Sequence, residues 1–232
     1  IAANHPTNPT GQNLTLERRR VAEVGPRYFF QETNTFRVLA GLKGEIGEKW
    51  DWSASINWGR NTGVDGMTNI INLDRVDATL NAATCGRGAT AAPCGNYLGY
   101  GNLSPAVLEY IHFTTRDHGG NDQKSFNASI SGEVFSLPAG PVGFASGFEY
   151  RQERGWRDPD ALIVSGAANT PAQDAIAGEY SAREVFAELA VPLLAKLPLV
   201  DSLTLNAAAR YSDYSLFGSQ ATYKLGLDWQ VI

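Results

Sequence analysis

Long hydrophobic runs are missing from this chain. Of its 232 residues 43% are hydrophobic, yet no stretch approaches the roughly 18 consecutive apolar positions that a membrane helix needs, which excludes a helical membrane protein. Methionine is nearly absent too. Met67 is the only one and the chain opens on Ile1, so it reads as a mature product or a fragment without a signal peptide. Net charge is −5 and basic runs are lacking apart from Arg18, Arg19 and Arg20, so no nucleic-acid partner is expected. Only two cysteines occur, Cys85 and Cys94, nine positions apart without a nearby His pair at zinc spacing. A local disulfide formed in an oxidising compartment is expected, worth about 2.5 to 3 kcal/mol on a chain-entropy argument.

Catalytic signatures are equally scarce. There is no Gly-x-Ser-x-Gly elbow, no phosphate-binding glycine loop ending in Lys and Ser/Thr, and no His-Glu-x-x-His. Gly99-Tyr100-Gly101 lacks the third glycine and the preceding strand of a dinucleotide fingerprint. An enzyme is therefore not expected, and neither is a cofactor.

What the chain does have is period-two alternation. In residues 50–60, Trp50, Trp52, Ala54, Ile56 and Trp58 alternate with Asp51, Ser53, Ser55, Asn57 and Gly59. Side chains of a strand point to opposite faces in turn, so one face is apolar and the other polar or small. Six further segments share the texture, around residues 36–46, 125–134, 142–151, 184–191, 203–212 and 222–229, although Phe186 interrupts the polar face of the fourth. Each is read as 10 or 11 residues, which at about 3.3 Å per residue and a tilt near 45° reaches about 25 Å, the apolar band of an outer-membrane barrel. Soluble sandwich strands are nearer 5 or 6 residues. The connections alternate as well. Residues 47–49, 136–141 and 192–202 form the shorter set; residues 61–123 and 155–178 are long, and 215–220 is a short member of that second set. Short periplasmic turns opposite long extracellular loops are the asymmetry expected of such a barrel. Within the longest loop, residues 69–83 are a helix candidate and Ser104 and Pro105 look like the cap of a second short helix, while residues 1–35 read as an incoming loop with a strand extension around 28–33.

Aromatics on the apolar face sit near the strand ends: Trp50 and Trp52 at one end and Trp58 at the other, with Tyr150, Tyr211 and Tyr223 near the outer end and Trp229 at the inner. Two aromatic girdles at the lipid interfaces explain that placement, and an aromatic core of a soluble β-protein is the alternative. Arg37, Lys43, Glu45, Glu133, Glu149, Arg151, Glu184, Glu188, Arg210, Lys224 and Asp228 all fall on the opposite face, which reads as a polar lumen.

The run from Ser136, Leu137, Pro138, Ala139, Gly140 and Pro141 through Val142, Gly143 and Phe144 to Glu149, Tyr150 and Arg151 resembles a hairpin of the TonB-dependent receptors. So do residues 185–194, 209–215 and 224–229, in matching order and spacing. The resemblance implies an all-β fold, an antiparallel transmembrane β-barrel segment of about seven of 22 strands with long extracellular loops, and residues 61–123 as one such loop. It also implies a plug domain and a TonB complex outside this chain, outer-membrane lipid and lipopolysaccharide around it, and a scarce cargo: siderophore-iron, cobalamin or an oligosaccharide. The chain is read as about a third of a barrel, without plug or TonB-contacting segment. A passive porin-type barrel and a soluble β-rich carbohydrate-binding module are the rival readings.

Contacts to cargo are expected from loop residues, with His112, His118, Arg154, Trp156 and Arg157 as the candidates. His112 and His118 flank Asp117 in the long loop but are read as solvated rather than as metal ligands. Asp158 and Asp160 around Pro159 are read as a turn rather than a calcium site. Trp156 with Arg154 and Arg157 is either a stacking cluster at the barrel rim or an interfacial tryptophan with solvated neighbours.

Overall fold

A computed structural model describes residues 1–231. It is an all-β structure, mostly antiparallel, with a sheet of seven strands: β1 (Phe29–Ile46), β2 (Trp50–Met67), β5 (Asp117–Leu137), β6 (Gly140–Asp158), β7 (Ile176–Leu197), β8 (Val200–Tyr214) and β9 (Gly218–Gln230), hydrogen-bonded in that order. Each strand except β5 pairs with its predecessor in the chain. Between β2 and β5 lie β3 (Ile70–Ile71) and β4 (His112–Phe113), which pair with each other, and helices α1 (Leu73–Leu80) and α2 (Pro105–Ile111). A third helix, α3 (Ala161–Val164), follows β6, and a 3-10 turn covers Ala22–Val24. No helix among the described residues is long and apolar enough to cross a membrane.

The strands are longer than the alternation indicated. The seven run from 13 to 22 residues, so the connection expected over residues 61–123 shortens to 68–116 and that over 155–178 to 159–175. Backbone ladders need no particular side chain, so pairing continues through stretches such as Asn61, Thr62 and Gly63, where the apolar pattern has stopped. The turn expected over residues 192–202 shrinks to Pro198 and Leu199. A bulge between Pro192 and Leu194 lets β7 keep pairing with β8 past a residue that has no N–H to give. The expected helix over residues 69–83 is α1, capped by Asn72, whose side chain accepts the Arg75 N–H at 3.0 Å. Ser104 caps α2 with Pro105 at its first position, as expected.

The chain divides into two units. The first comprises Thr35–Asn61, Gly120–Gly155 and Ala177–Ile232. Its apolar residues meet across strands: Val191 pairs with Leu205 and Leu205 with Leu227, while Phe36 packs edge-on against Trp58 at 5.4 Å and Trp50 against Phe144 at 6.1 Å. Much of this face is nonetheless open, with Leu42 at 72% and Tyr223 at 90%. A continuous apolar surface of this extent is a site of interaction with lipid or protein. The alternate residues form a polar network. Arg37 Nε donates to Asn57 Oδ1 at 2.7 Å, Gln123 Nε2 to Glu153 Oε1 at 3.2 Å, and Arg210 Nη1 and Tyr214 Oη to the Glu184 carboxylate at 3.1 and 2.8 Å. Phe186 on this polar face has a reason: its ring lies under the Arg210 guanidinium at 5.6 Å and fills the space beside Gly147, where a Cβ would come within 2.6 Å of it.

The second unit comprises Ile1–Asn34, Thr62–Gly119 and Trp156–Ile176. It has a small core of its own, Ile71, Tyr97, Leu103, Val107 and Ile111, with Val21, Val24, Val76 and Leu80 packed against it.

Candidate ligand-binding site

In the second unit a cavity of about 730 Å³ opens between the segment around residues 16–27 and α1. Leu16, Val21, Val24, Ile71, Val76 and Leu80 give it an apolar wall, and Arg19, Arg20 and Arg27 add guanidinium groups. Small-ligand sites commonly combine such a wall with a few polar groups that fix orientation. Arg19 is already committed: it forms an ion pair with Glu23 and donates to the carbonyls of Arg20 and Gly99. Burial alone would push the Glu23 carboxyl up, but the Arg19 hydrogen bond and the Gly101 N–H, 3.0 Å from Oε1, outweigh it and hold the group below its ordinary value. Arg20 and Arg27 are exposed and form no ion pair among the described residues. The Asn69 side chain spends its N–H on the Pro26 carbonyl and Asn169 Oδ1 accepts the Ile71 N–H, so both hold the walls in place. Tyr97 at the base donates to or accepts from Thr79 Oγ1 at 2.8 Å, and burial pushes its phenol up, so it stays neutral.

Cys85 and Cys94 are joined by a disulfide, and the loop they close is held by the N-terminal segment. His5, only 2% exposed, lies with Nε2 3.0 Å from the Thr79 carbonyl and 3.6 Å from Cys85 Sγ. The Thr7 N–H donates to its Nδ1, so the ring proton sits on Nε2 and points at the Thr79 carbonyl. His5, Cys85 and Cys94 are the only His, Cys, Asp or Glu group among the described residues close enough to share a metal ion. With both sulfurs in a disulfide and the imidazole donating, the group holds the fold together and offers no thiolate.

The residues singled out from the sequence are placed differently. His112 ends α2, with Nδ1 2.6 Å from the Leu108 carbonyl, and enters β4, whereas His118 is an exposed residue of β5. Asp117 between them is 4% exposed and faces Arg157, so the three do not assemble. Arg154, Trp156 and Arg157 are all residues of β6 and not of a loop, because the ladder runs to Asp158. Arg157 is held by two carboxylates, Asp117 at 2.6 Å and Asp65 at 3.1 Å. Asp117 also accepts the Asp160 N–H at 3.0 Å, and Asp160 in turn caps α3 through the Leu162 N–H at 2.9 Å. Arg157 thus fastens the chain after β6, and the turn expected at Asp158 and Asp160 is a strand end followed by a helix cap. Arg154 belongs to the first unit, exposed, beside Asn121, Asp122 and Glu179. Sequence reasoning passed over Arg20 and Arg27. The three consecutive arginines at 18–20, set in an Asn/Pro/Thr-rich segment with no Lys or Arg before them, were the available signal.

No curated protein matches the chain. The sequence model of one family, described as "TonB dependent receptor-like, beta-barrel", matches residues 2–232. With seven long strands that carry a mainly apolar face and a polar one, and a match over nearly its whole length, this chain belongs to the TonB-dependent receptor-like β-barrel family of outer-membrane receptors and transporters, which is not an enzyme family.

Proposed function

We propose that the full-length protein imports a scarce ligand across the outer membrane with energy delivered through the TonB complex, and that the cavity beside α1 captures an anionic cargo. The observation that carries this reading is the apolar wall combined with the unpaired charges of Arg20 and Arg27 at a cavity large enough for a small molecule. Of the three cargo classes, a siderophore-iron complex with carboxylate or phenolate groups suits it best; a neutral oligosaccharide would leave both guanidiniums without an anionic partner. In this reading residues 68–116 and 159–175 face the cell exterior, the plug lies against the polar face of the first unit, and lipid, including lipopolysaccharide, covers the apolar face. His118, Arg154 and Trp156 are further contact candidates, while His112 and Arg157 act through the segments they hold. The test is uptake of labelled ferric complexes, with labelled cobalamin in parallel, by iron-limited cells carrying the full-length protein. Uptake should require the proton gradient. Replacing Arg20→Gln and Arg27→Gln together should raise the half-saturating concentration by about tenfold or more, the loss expected for two charge-assisted hydrogen bonds. Uptake insensitive to an uncoupler would establish a passive pore, and an unchanged half-saturation would remove the cavity from the cargo path.

A further inference from the structure

The first unit carries a groove of about 720 Å³ lined by Val38, Ile56, Trp58, Phe126 and Tyr150, with Arg60, Asp122 and Lys124 at the same place. These eight are even-numbered, the parity of the apolar face in β1, β2, β5 and β6, and only Asn57 and Ser125 of the lining are odd, so the three charged residues break the apolar face and not the polar one. They do so beyond the aromatic residues. Along β2 the order is Ile56, Trp58, Arg60, a rise of about 9 Å from the aliphatic position to the charge at the tilt expected of a barrel strand. Arg60 Nε and Asp122 Oδ1 lie 3.3 Å apart and cancel. Lys124 is exposed and has no ion-pair partner among the described residues, so the end of the groove carries one net positive charge.

We propose that this groove holds a membrane lipid with an anionic, phosphate-bearing headgroup, its acyl chain along Val38, Ile56 and Phe126, Trp58 and Tyr150 at the glycerol or sugar level, and the phosphate at Lys124 and Arg60. The inference rests on the reading of the even-numbered face as the lipid-facing wall. Charge complementarity selects the occupant: a zwitterionic headgroup gains nothing from Lys124, and a soluble anion gains nothing from the apolar length below it. Asp122 orients the Arg60 guanidinium and limits the site to one phosphate's worth of excess charge.

The experiment places the full-length protein in phosphatidylcholine bilayers containing a small fraction of dibrominated phosphatidylglycerol or, in parallel, dibrominated phosphatidylcholine. Bromine quenches nearby tryptophan, and the difference between wild type and Trp58→Phe isolates the Trp58 contribution. Association of the brominated phosphatidylglycerol at Trp58 should exceed that of the phosphatidylcholine by about fivefold, the preference that one basic residue near a membrane surface confers. Lys124→Gln should bring the ratio to about one, and Lys124→Arg should restore it; Lys124 is exposed, so neither change burdens folding. Equal quenching of Trp58 by both lipids, or a ratio indifferent to Lys124→Gln, overturns the headgroup site while leaving the wall intact. No quenching of Trp58 by either lipid overturns the wall itself and the proposal with it.

Discussion

Leu205 and Asn206 are neighbours on β8 that differ in which face they occupy, and that difference can be weighed. Leu205 pairs with Val191 on β7 and Leu227 on β9, a row of three aliphatic side chains; Asn206 pairs with Ala190 and Gly226 and donates to Asp228 Oδ2 at 2.5 Å. Counting from Val200 at the strand start, Leu205 lies about 12 Å up a wall of about 25 Å, close to the middle of the hydrocarbon. Arginine at position 205 must therefore sit in lipid at mid-depth, which costs about 2 to 4 kcal/mol. Arginine at position 206 points to the polar side, beside Asp228, and should cost less than about 1 kcal/mol. The assay is reversible folding of the full-length barrel into lipid vesicles across a guanidinium series, read by the mobility shift that folded barrels show on unheated gels. Leu205→Arg should move the midpoint to clearly lower denaturant and Asn206→Arg should barely move it. Equal costs, or a larger cost at 206, would mean that the face assignment is inverted or that the sheet does not meet lipid.

Two other outcomes test the second unit. Arg157→Met leaves Asp117, with only 6% of its side chain exposed, facing Asp65 without a cation. Breaking a buried pair costs about 3 to 5 kcal/mol, and because Arg157 itself is 42% exposed the cost here should be nearer 2 kcal/mol. Hydrogen exchange over residues 158–166 should accelerate by about thirtyfold, with exchange in β8 and β9 unchanged; exchange as slow as in wild type would show that Arg157 holds nothing. Glu23 supplies the pH test. Its folded pKa lies below the ordinary 4.5, so its ionised form stabilises the segment above that pH, and the stabilisation is lost as pH falls through the folded value. Protection of the Gly101 amide, corrected for intrinsic exchange, should therefore fall as the pH drops below the ordinary 4.5 in wild type and stay flat in Glu23→Gln. Identical profiles would exclude Glu23 as the titrating group.

Much of the wall could be read without coordinates. The alternation from Trp50 to Trp58 gave strand, face and polarity together, because a side-chain period of two is a property of extended backbone alone. Strand ends were less legible. Beyond Arg60 the residues Asn61, Thr62, Gly63 and Asp65 lose the apolar rhythm, yet β2 runs on to Met67 because backbone N–H and C=O groups pair regardless of what flanks them. His118 and Arg157 consequently passed from loop to strand. Pro192 looked like the start of a turn, and only the bulge beside it shows how the ladder absorbs a missing donor.

The site is where sequence and structure divide most clearly. Local patterns determined the helix caps at Ser104 and the alternating faces, since both depend on neighbours within a few positions. The His5 clasp on the Cys85–Cys94 loop and the Arg157 bridge to Asp65 and Asp117 join residues 40 to 92 positions apart, and the cavity at Arg20 and Arg27 is lined from Leu16 to Asn169. No periodicity signals such pairs: which cation is spent on a carboxylate and which stays without one is settled only when distant segments pack.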